Sequence, residues 1–242
     1  MTLRIAMWSG PRNISTAMMR AFENRPDCEV VDEPFYASYL HSTGIEHPGR
    51  EAILASQPTD WRQVAETLCR SAPAEIFYQK HMTQHITAGM DLGFTELLCN
   101  CFLIREPRRI VASYAKIRPQ FTLEELGFPQ QWQLFQRECE RLGEAPPVLD
   151  SALTLADPRG VLSALCERLG IDFSEAMLRW PSGPRATDGV WAAHWYEAVW
   201  ASTGFAPPAV SAAVPALTPE RDALAAEAEG FYERMRVHAL GA

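Results

Sequence analysis

The sequence predicts an α/β protein. Three observations carry that prediction. Short apolar runs alternate along the chain with stretches of helical periodicity. Several of the runs end on charged or polar residues, where parallel α/β sheets keep their chemistry. The composition, 47% hydrophobic with 10% aromatic, suits a large buried core. At 242 residues the chain has the length of a single domain, 1–242. Within it residues 35–60 and 118–145 are candidate covers of a site, and 218–240 a C-terminal helix.

The first strand is Leu3 to Met7, and Ala17 to Phe22 reads as a helix. Between them lies Trp8-Ser9-Gly10-Pro11-Arg12-Asn13-Ile14-Ser15-Thr16. A strand, a tight polar turn and a helix start make an anion site, because the first N–H groups of a helix lack partners and its dipole is positive there. Gly10 lets the backbone turn or approach closely. Arg12 adds a fixed charge, and Ser15 and Thr16 add hydroxyl donors. The motif G-x-x-x-x-G-K-[ST], started from Gly10, needs Gly and Lys where the chain has Ser15 and Thr16, so this is not a nucleoside-triphosphatase loop. A plain capped turn is the alternative.

Glu29 to Val31 is a short strand that ends on Asp32-Glu33-Pro34, which makes both carboxylates site candidates; a turn cap or an Arg partner is the alternative. Residues 35–60 look irregular, with His41 and His47 as surface histidines without a metal-ligand companion. A helix from Trp61 to about Ser71 turns Trp61, Val64 and Leu68 inward, and Glu75 to Tyr78 is the third strand. That strand ends in Gln79-Lys80-His81-Met82, where a His of near-neutral pKa suits proton removal. A short helix or turn at 91–98 precedes Cys99 to Ile104, the strongest buried-strand signal after the first. Arg105-Glu106-Pro107 then opens a helix through Tyr114, with Pro107 suited to its first turn. Arg105 and Ser113 are eight residues apart, one at the strand end and the other two turns into the helix.

Leu123 to Gly143 is helical, broken early by Gly127 and Pro129, and Pro147 to Leu149 is a fifth strand. Leu155-Ala156-Asp157-Pro158 leads into a helix, Val161 to Leu169, closed by Gly170. Ser182 to Trp191 is a polar loop, and His194, Trp195, Tyr196 and Trp200 form an aromatic helix that walls the core or an acceptor pocket. Residues 204–217 read as an extended connector. Thr218-Pro219-Glu220 starts a last helix with Leu224, Ala228, Phe231 and Met235 on one face.

The net charge of −8 argues against broad nucleic-acid binding, so anion affinity must come from a local pocket. No apolar run approaches the roughly 20 residues of a membrane span, and the start of the chain lacks a signal core, so a cytoplasmic protein is expected. The six cysteines are scattered and complete no zinc pattern. Oligomeric state is not legible.

Three segments together resemble the sulfotransferase family. Pro11-Arg12 and Ser15-Thr16 match the 5′-phosphosulfate loop, with Asn13 and Ile14 where the family commonly has Ser and Gly. Arg105, Pro107 and Ser113 fill every named position of the family's 3′-phosphate motif, R-x-P-x-x-x-x-x-S. Leu155-Ala156-Asp157-Pro158 and Leu169-Gly170-Ile171-Asp172-Phe173 match a late segment with no phosphate chemistry in it. Arg185, Gly189 and Trp191 loosely match the late loop that closes over the 3′-phosphate.

The resemblance implies a P-loop-type three-layer fold with a central parallel β-sheet flanked by helices. It implies the donor 3′-phosphoadenosine 5′-phosphosulfate, the product adenosine 3′,5′-bisphosphate, and sulfuryl transfer to a hydroxyl or amine of a small acceptor that the sequence does not identify. Gly10 to Thr16, Arg105, Ser113 and Arg185 would hold the donor. Arg12 and Lys80 would meet the transferring group, and Glu33, or failing it His81, would take the acceptor proton. No metal is required. Two other classes remain open at this stage. One is a P-loop small-molecule kinase with Asp32 on Mg²⁺, which Mg²⁺ dependence would reveal. The other is a non-catalytic nucleotide-binding protein, which would bind without turnover.

Overall fold

A computed structural model describes residues 2–70, 72–206 and 216–241. Five strands form one sheet: β1 (Leu3–Ser9), β2 (Cys28–Asp32), β3 (Ile76–Met82), β4 (Cys99–Ile104) and β5 (Val148–Asp150). Their order is β2-β3-β1-β4-β5 and every neighbouring pair is parallel. The α/β prediction therefore holds. Because all strands run the same way, their carboxyl ends share one edge, with β1 in the middle of it.

The helices are α1 (Ser15–Glu23), α2 (Tyr36–Thr43), α3 (Arg50–Ser56), α4 (Trp61–Cys69), α5 (Pro107–Tyr114), α6 (Phe128–Leu142), α7 (Ser151–Ala156), α8 (Pro158–Leu169), α9 (Ala192–Trp195), α10 (Glu197–Trp200) and α11 (Pro219–Arg236). The pleat sends successive side chains of a strand to opposite faces. Ile5 and Met7 of β1 pack with Met18, Met19 and Phe22 of α1 and Val161, Leu162 and Leu165 of α8. Ala6 and Trp8 pack on the other face with Leu134 and Phe135 of α6 and Tyr232 and Met235 of α11. The three layers follow from this alternation.

Several local expectations are corrected. Residues 35–60 are not irregular: they carry α2 and α3, whose Tyr36, Tyr39, Leu40 and Ile53 bury against Trp191 and Tyr196. Gly44 ends α2 in the left-handed conformation, at φ 66°. The aromatic helix expected around 194–200 is two single turns that meet at Tyr196. A further short helix, α7, precedes Asp157. The buried face of α11 is Ala225, Ala228, Tyr232 and Met235, displaced by one residue from the expected stripe at Leu224 and Phe231. Part of the connector expected at 204–217 lies outside the described residues. Among the described helices none is long and apolar enough to cross a membrane.

Candidate active site

The turn after β1 is built for close approach. A Cβ on Gly10 would sit 2.7 Å from the carbonyl oxygen of Leu126, so only glycine fits. Arg12 adopts φ 56°, which costs an ordinary residue of order 1 kcal/mol or more unless its surroundings fix it. Three bonds do so. Its Nε donates to Ser113 Oγ at 3.0 Å and its Nη1 to the Trp195 carbonyl at 3.4 Å. Arg105, at the end of β4, donates to the Arg12 carbonyl at 2.6 Å. Asn13 ties the turn down: its Oδ1 accepts from Ile14 N at 2.9 Å and its Nδ2 donates to the Leu103 carbonyl at 3.0 Å.

Helix α1 then starts without a side-chain cap, and its first backbone bond runs from Met18 N to Ile14 O. The N–H groups of Ser15, Thr16 and Ala17 are left for whatever occupies the cavity before them. That cavity has a volume of about 310 Å³ and is lined by Pro11 to Ala17 and by Arg105. Neither Arg12 nor Arg105 forms an ion pair with a described residue. Burial lowers the pKa of both guanidiniums, and Arg105 is lowered further by Arg109 and Arg12. An anion in the cavity relieves that cost.

Across the same cavity stands a buried acid–base cluster. Lys80 Nζ donates to Asp32 Oδ1 at 2.8 Å, to Glu33 Oε1 at 2.6 Å and to the Tyr196 hydroxyl at 2.6 Å. Burial alone would lower the Lys80 pKa, but the two carboxylates outweigh it and hold it above the ordinary value. Asp32 is saturated: its Oδ2 also takes Gly189 N at 3.1 Å and the Tyr196 hydroxyl at 2.7 Å. Asp32 is therefore an anchor, and the oxygens that a magnesium-binding role would need are already engaged.

Glu33 differs. It lines the cavity, and its Oε2 takes no hydrogen bond from the described residues. Burial pushes its carboxyl above the usual range; Lys80 opposes the shift and Asp32 adds to it. Its backbone sits at φ 39°, so Arg12 and Glu33 are the two non-glycine residues of positive φ among those described, and both face this cavity.

The structure separates other candidates from this place. His81 neighbours Lys80 but points to the opposite face of β3. It stacks on Trp8 with ring centroids 4.1 Å apart, its Nε2 bonds Gln79 Oε1 at 3.1 Å, and it does not line the cavity. Burial drops its pKa to about 3. As a base it is corrected by pleat parity. His81→Phe should leave catalytic turnover within a few-fold of wild type and lower Tm by a few degrees, the cost of about one lost hydrogen bond. A large loss of turnover with an unchanged Tm would return His81 to the site.

Arg185 lies 3.7 Å from Glu23 and lines no part of the cavity. Its loop instead locks onto the body through Asp188, which bonds the buried Arg20, and through Gly189 on Asp32. Ser113 bonds Arg12 rather than Arg105. Of the two expected covers, 35–60 supplies Tyr36 and His47 to the cavity, whereas no residue of 118–145 lines it. His47 is thus not a surface-loop histidine: Tyr36 OH shares a hydrogen bond with its Nδ1 and Tyr114 OH lies 3.3 Å from its Nε2. Gln84 and Tyr114 were missed as lining residues. Tyr114 adjoins Ser113 in sequence, which was a signal; Gln84 offered none.

A family model described as "Sulfotransferase domain" matches residues 3–239. Two curated proteins of Arabidopsis thaliana, branched-chain-amino-acid aminotransferase-like proteins 1 and 2, are 36% and 35% identical over 205 and 206 residues, 84% of this chain in each case. The chain spans little more than a third of their length, 37% and 36%. The sulfotransferase domain from the Synechococcus PCC 7002 olefin synthase aligns at TM-score 0.55 and 18% identity, over 94% of this chain and 95% of that one. A sulfotransferase from Alicyclobacillus acidocaldarius aligns at TM-score 0.52 and 12% identity, over 98% and 96%. These two are likenesses of fold.

Proposed function

The chain belongs to the sulfotransferase domain family, and from that premise we propose that it transfers a sulfuryl group from 3′-phosphoadenosine 5′-phosphosulfate to a hydroxyl or amine of a small acceptor. One observation carries the donor reading. Arg12 and Arg105, from the ends of two adjacent strands, meet at a cavity that also holds a helix start and Glu33, and neither has a carboxylate partner among the described residues.

The donor supplies the activated sulfuryl group; the chain supplies position, charge and a proton acceptor. The free N–H groups of α1 and the Arg12 guanidinium stabilise charge on the phosphosulfate oxygens and on the leaving phosphate. Arg105 serves the 3′-phosphate, and Ser113 retains its own hydroxyl hydrogen to donate while it accepts from Arg12. Glu33 takes the acceptor proton at Oε2, and Lys80 holds that carboxylate in place through Oε1. The alternative of a kinase with Asp32 on Mg²⁺ is disfavoured by the engaged Asp32 oxygens.

Calorimetric titration tests the donor half. Adenosine 3′,5′-bisphosphate should bind, and Arg105→Ala should weaken it by about 2–3 kcal/mol, the worth of a charge-assisted contact. Because Arg105 also holds the Arg12 carbonyl, adenosine 5′-monophosphate should lose about 1 kcal/mol. Equal losses for the two ligands would show that Arg105 supports the loop and does not touch the 3′-phosphate.

A further inference from the structure

Two consecutive residues of the late segment reach both halves of the site. The Trp195 carbonyl accepts from Arg12 Nη1 at 3.4 Å, and the Tyr196 hydroxyl sits inside the cluster of Lys80, Asp32 and Glu33. The junction of α9 and α10 fixes Tyr196 in place. Its backbone N–H donates to the Ala192 carbonyl at 2.8 Å and its carbonyl accepts from Trp200 N at 2.9 Å.

The hydrogens of this cluster can be counted. Lys80 has three N–H groups and no acceptor. Three oxygens take them: Asp32 Oδ1, Glu33 Oε1 and the Tyr196 hydroxyl. The Tyr196 oxygen has two lone pairs, which Lys80 and, at 3.1 Å, Trp191 Nε1 fill. Its one hydrogen then goes to Asp32 Oδ2 at 2.7 Å, because Glu33 Oε1 stands farther off at 3.4 Å. Burial and the two carboxylates raise the phenol well above its ordinary pKa, so that hydrogen stays on Tyr196. The count leaves the ammonium one orientation. Lys80 is 1% exposed, so solvent replaces a missing acceptor poorly. Without the hydroxyl, one N–H of a buried ammonium has no partner. The ammonium then turns from Glu33 toward Asp32, whose Oδ2 has lost a donor as well.

Resting on the sulfuryl-transfer reading, we propose that Tyr196 is a positioning residue: its hydroxyl orients the Lys80 ammonium, which holds Glu33 Oε1 and leaves Oε2 to take the acceptor proton. In the transfer, the acceptor oxygen bonds sulfur as the sulfur–oxygen bond to the donor phosphate breaks. The proton passes to Glu33, adenosine 3′,5′-bisphosphate leaves, and Tyr196 keeps its own hydrogen on Asp32 throughout. The other titratable groups that face Glu33 are Asp32 on β2, Tyr36 on α2 and Tyr114 on α5. Burial raises both tyrosines, so they are uncharged near pH 7 and Lys80 alone offsets the two carboxylates.

Tyr196→Phe keeps the ring and removes the hydroxyl. Carbon-13 NMR of protein labelled at the glutamate carboxyls follows Glu33 directly, its resonance being the one absent from Glu33→Gln. The charge of Lys80 lowers the Glu33 pKa, so turning it away should raise the midpoint of that resonance by about one pH unit, a tenfold gain in proton affinity. Transfer from radiolabelled 3′-phosphoadenosine 5′-phosphosulfate to a panel of simple phenols should slow in kcat by about tenfold or more, while adenosine 3′,5′-bisphosphate binds nearly as before. In the Glu33→Gln background the same substitution should cost about twofold or less, since no carboxylate is left to hold. A merely structural hydroxyl would cost the same in both backgrounds. Equal losses, or an unmoved Glu33 midpoint, overturn the proposal. If the wild type binds the bisphosphate and sulfates none of the phenols, the donor reading stands and the midpoint alone decides. Failure of the wild type to bind the bisphosphate removes the sulfuryl-transfer reading and this role with it. Should Tyr196→Phe not fold, Trp191→Phe withdraws the indole donor from the same oxygen and frees it to leave Lys80. The Glu33 midpoint should then rise in the same sense, and no rise overturns the proposal.

Discussion

Glu33→Gln should slow sulfuryl transfer by roughly 10²-fold or more while adenosine 3′,5′-bisphosphate binds nearly as before. The substitution keeps the shape and leaves Lys80 paired with Asp32 at 2.8 Å, so the cluster becomes neutral and the fold survives. What is lost is the cavity-facing carboxylate oxygen that takes the proton. The pH profile carries the sharper signature. Burial holds the Glu33 carboxyl above 4.5, and the ionised form is the base. In the wild type kcat/KM should therefore rise with pH through an ionisation above the ordinary glutamate range, and in Glu33→Gln that acid limb should vanish. For stability the sign is reversed. An acid whose folded pKa is raised favours the folded state at low pH, and that contribution fades as pH climbs through the folded value. Full turnover in Glu33→Gln, with the acid limb intact, would remove Glu33 from the mechanism.

Lys80→Met should cost about 3–5 kcal/mol of stability at neutral pH. Lys80 is 1% exposed and is the common partner of Asp32 and Glu33. Without it two adjacent carboxylates face each other with little solvent to screen them, Asp32 buried and Glu33 open only to the cavity. At about 2–4 °C per kcal/mol for a chain of this size, Tm should fall by roughly 6–20 °C. The loss should be smaller in mildly acidic buffer, where Glu33 takes up a proton, and the double variant Lys80→Met/Glu33→Gln should regain part of it. Calorimetric melting of the three proteins at two pH values decides the matter. A single-variant Tm within about 2 °C of wild type would mean that the triad is solvated and contributes little.

The two effects share one cause. The fold places Glu33 where it must be charged to act, and burial makes that charge costly. Lys80 then lowers the cost without blocking the second oxygen. Tyr196 and the Gly189 amide do the same for Asp32. Since Tyr196 and Gly189 belong to the segment 182–200, the packing of that late segment is part of the acid–base site even though Arg185 is not.

By itself the sequence determined the strands, the loop after β1 and the placement of Asp32, Glu33, Lys80 and Arg105 at strand ends. These are local matters. An apolar run of five to seven residues, a glycine before a helix start and a proline in a first helical turn each act within a few positions. The tertiary structure alone decided which side chains meet. Lys80 and His81 are neighbours in sequence and equally plausible by type, yet the pleat sends one into the cavity and the other into the layer under α6. His47 reads as a loop histidine until α2 and α3 fold it onto Tyr114, 67 positions away. Asp32 reads as a metal ligand until Gly189, 157 positions away, closes its last oxygen. Local periodicity carries no information about contacts at such separations. They arise only when burial of the apolar layers brings the segments together, and so the elements were legible in advance while the partnerships inside the site were not.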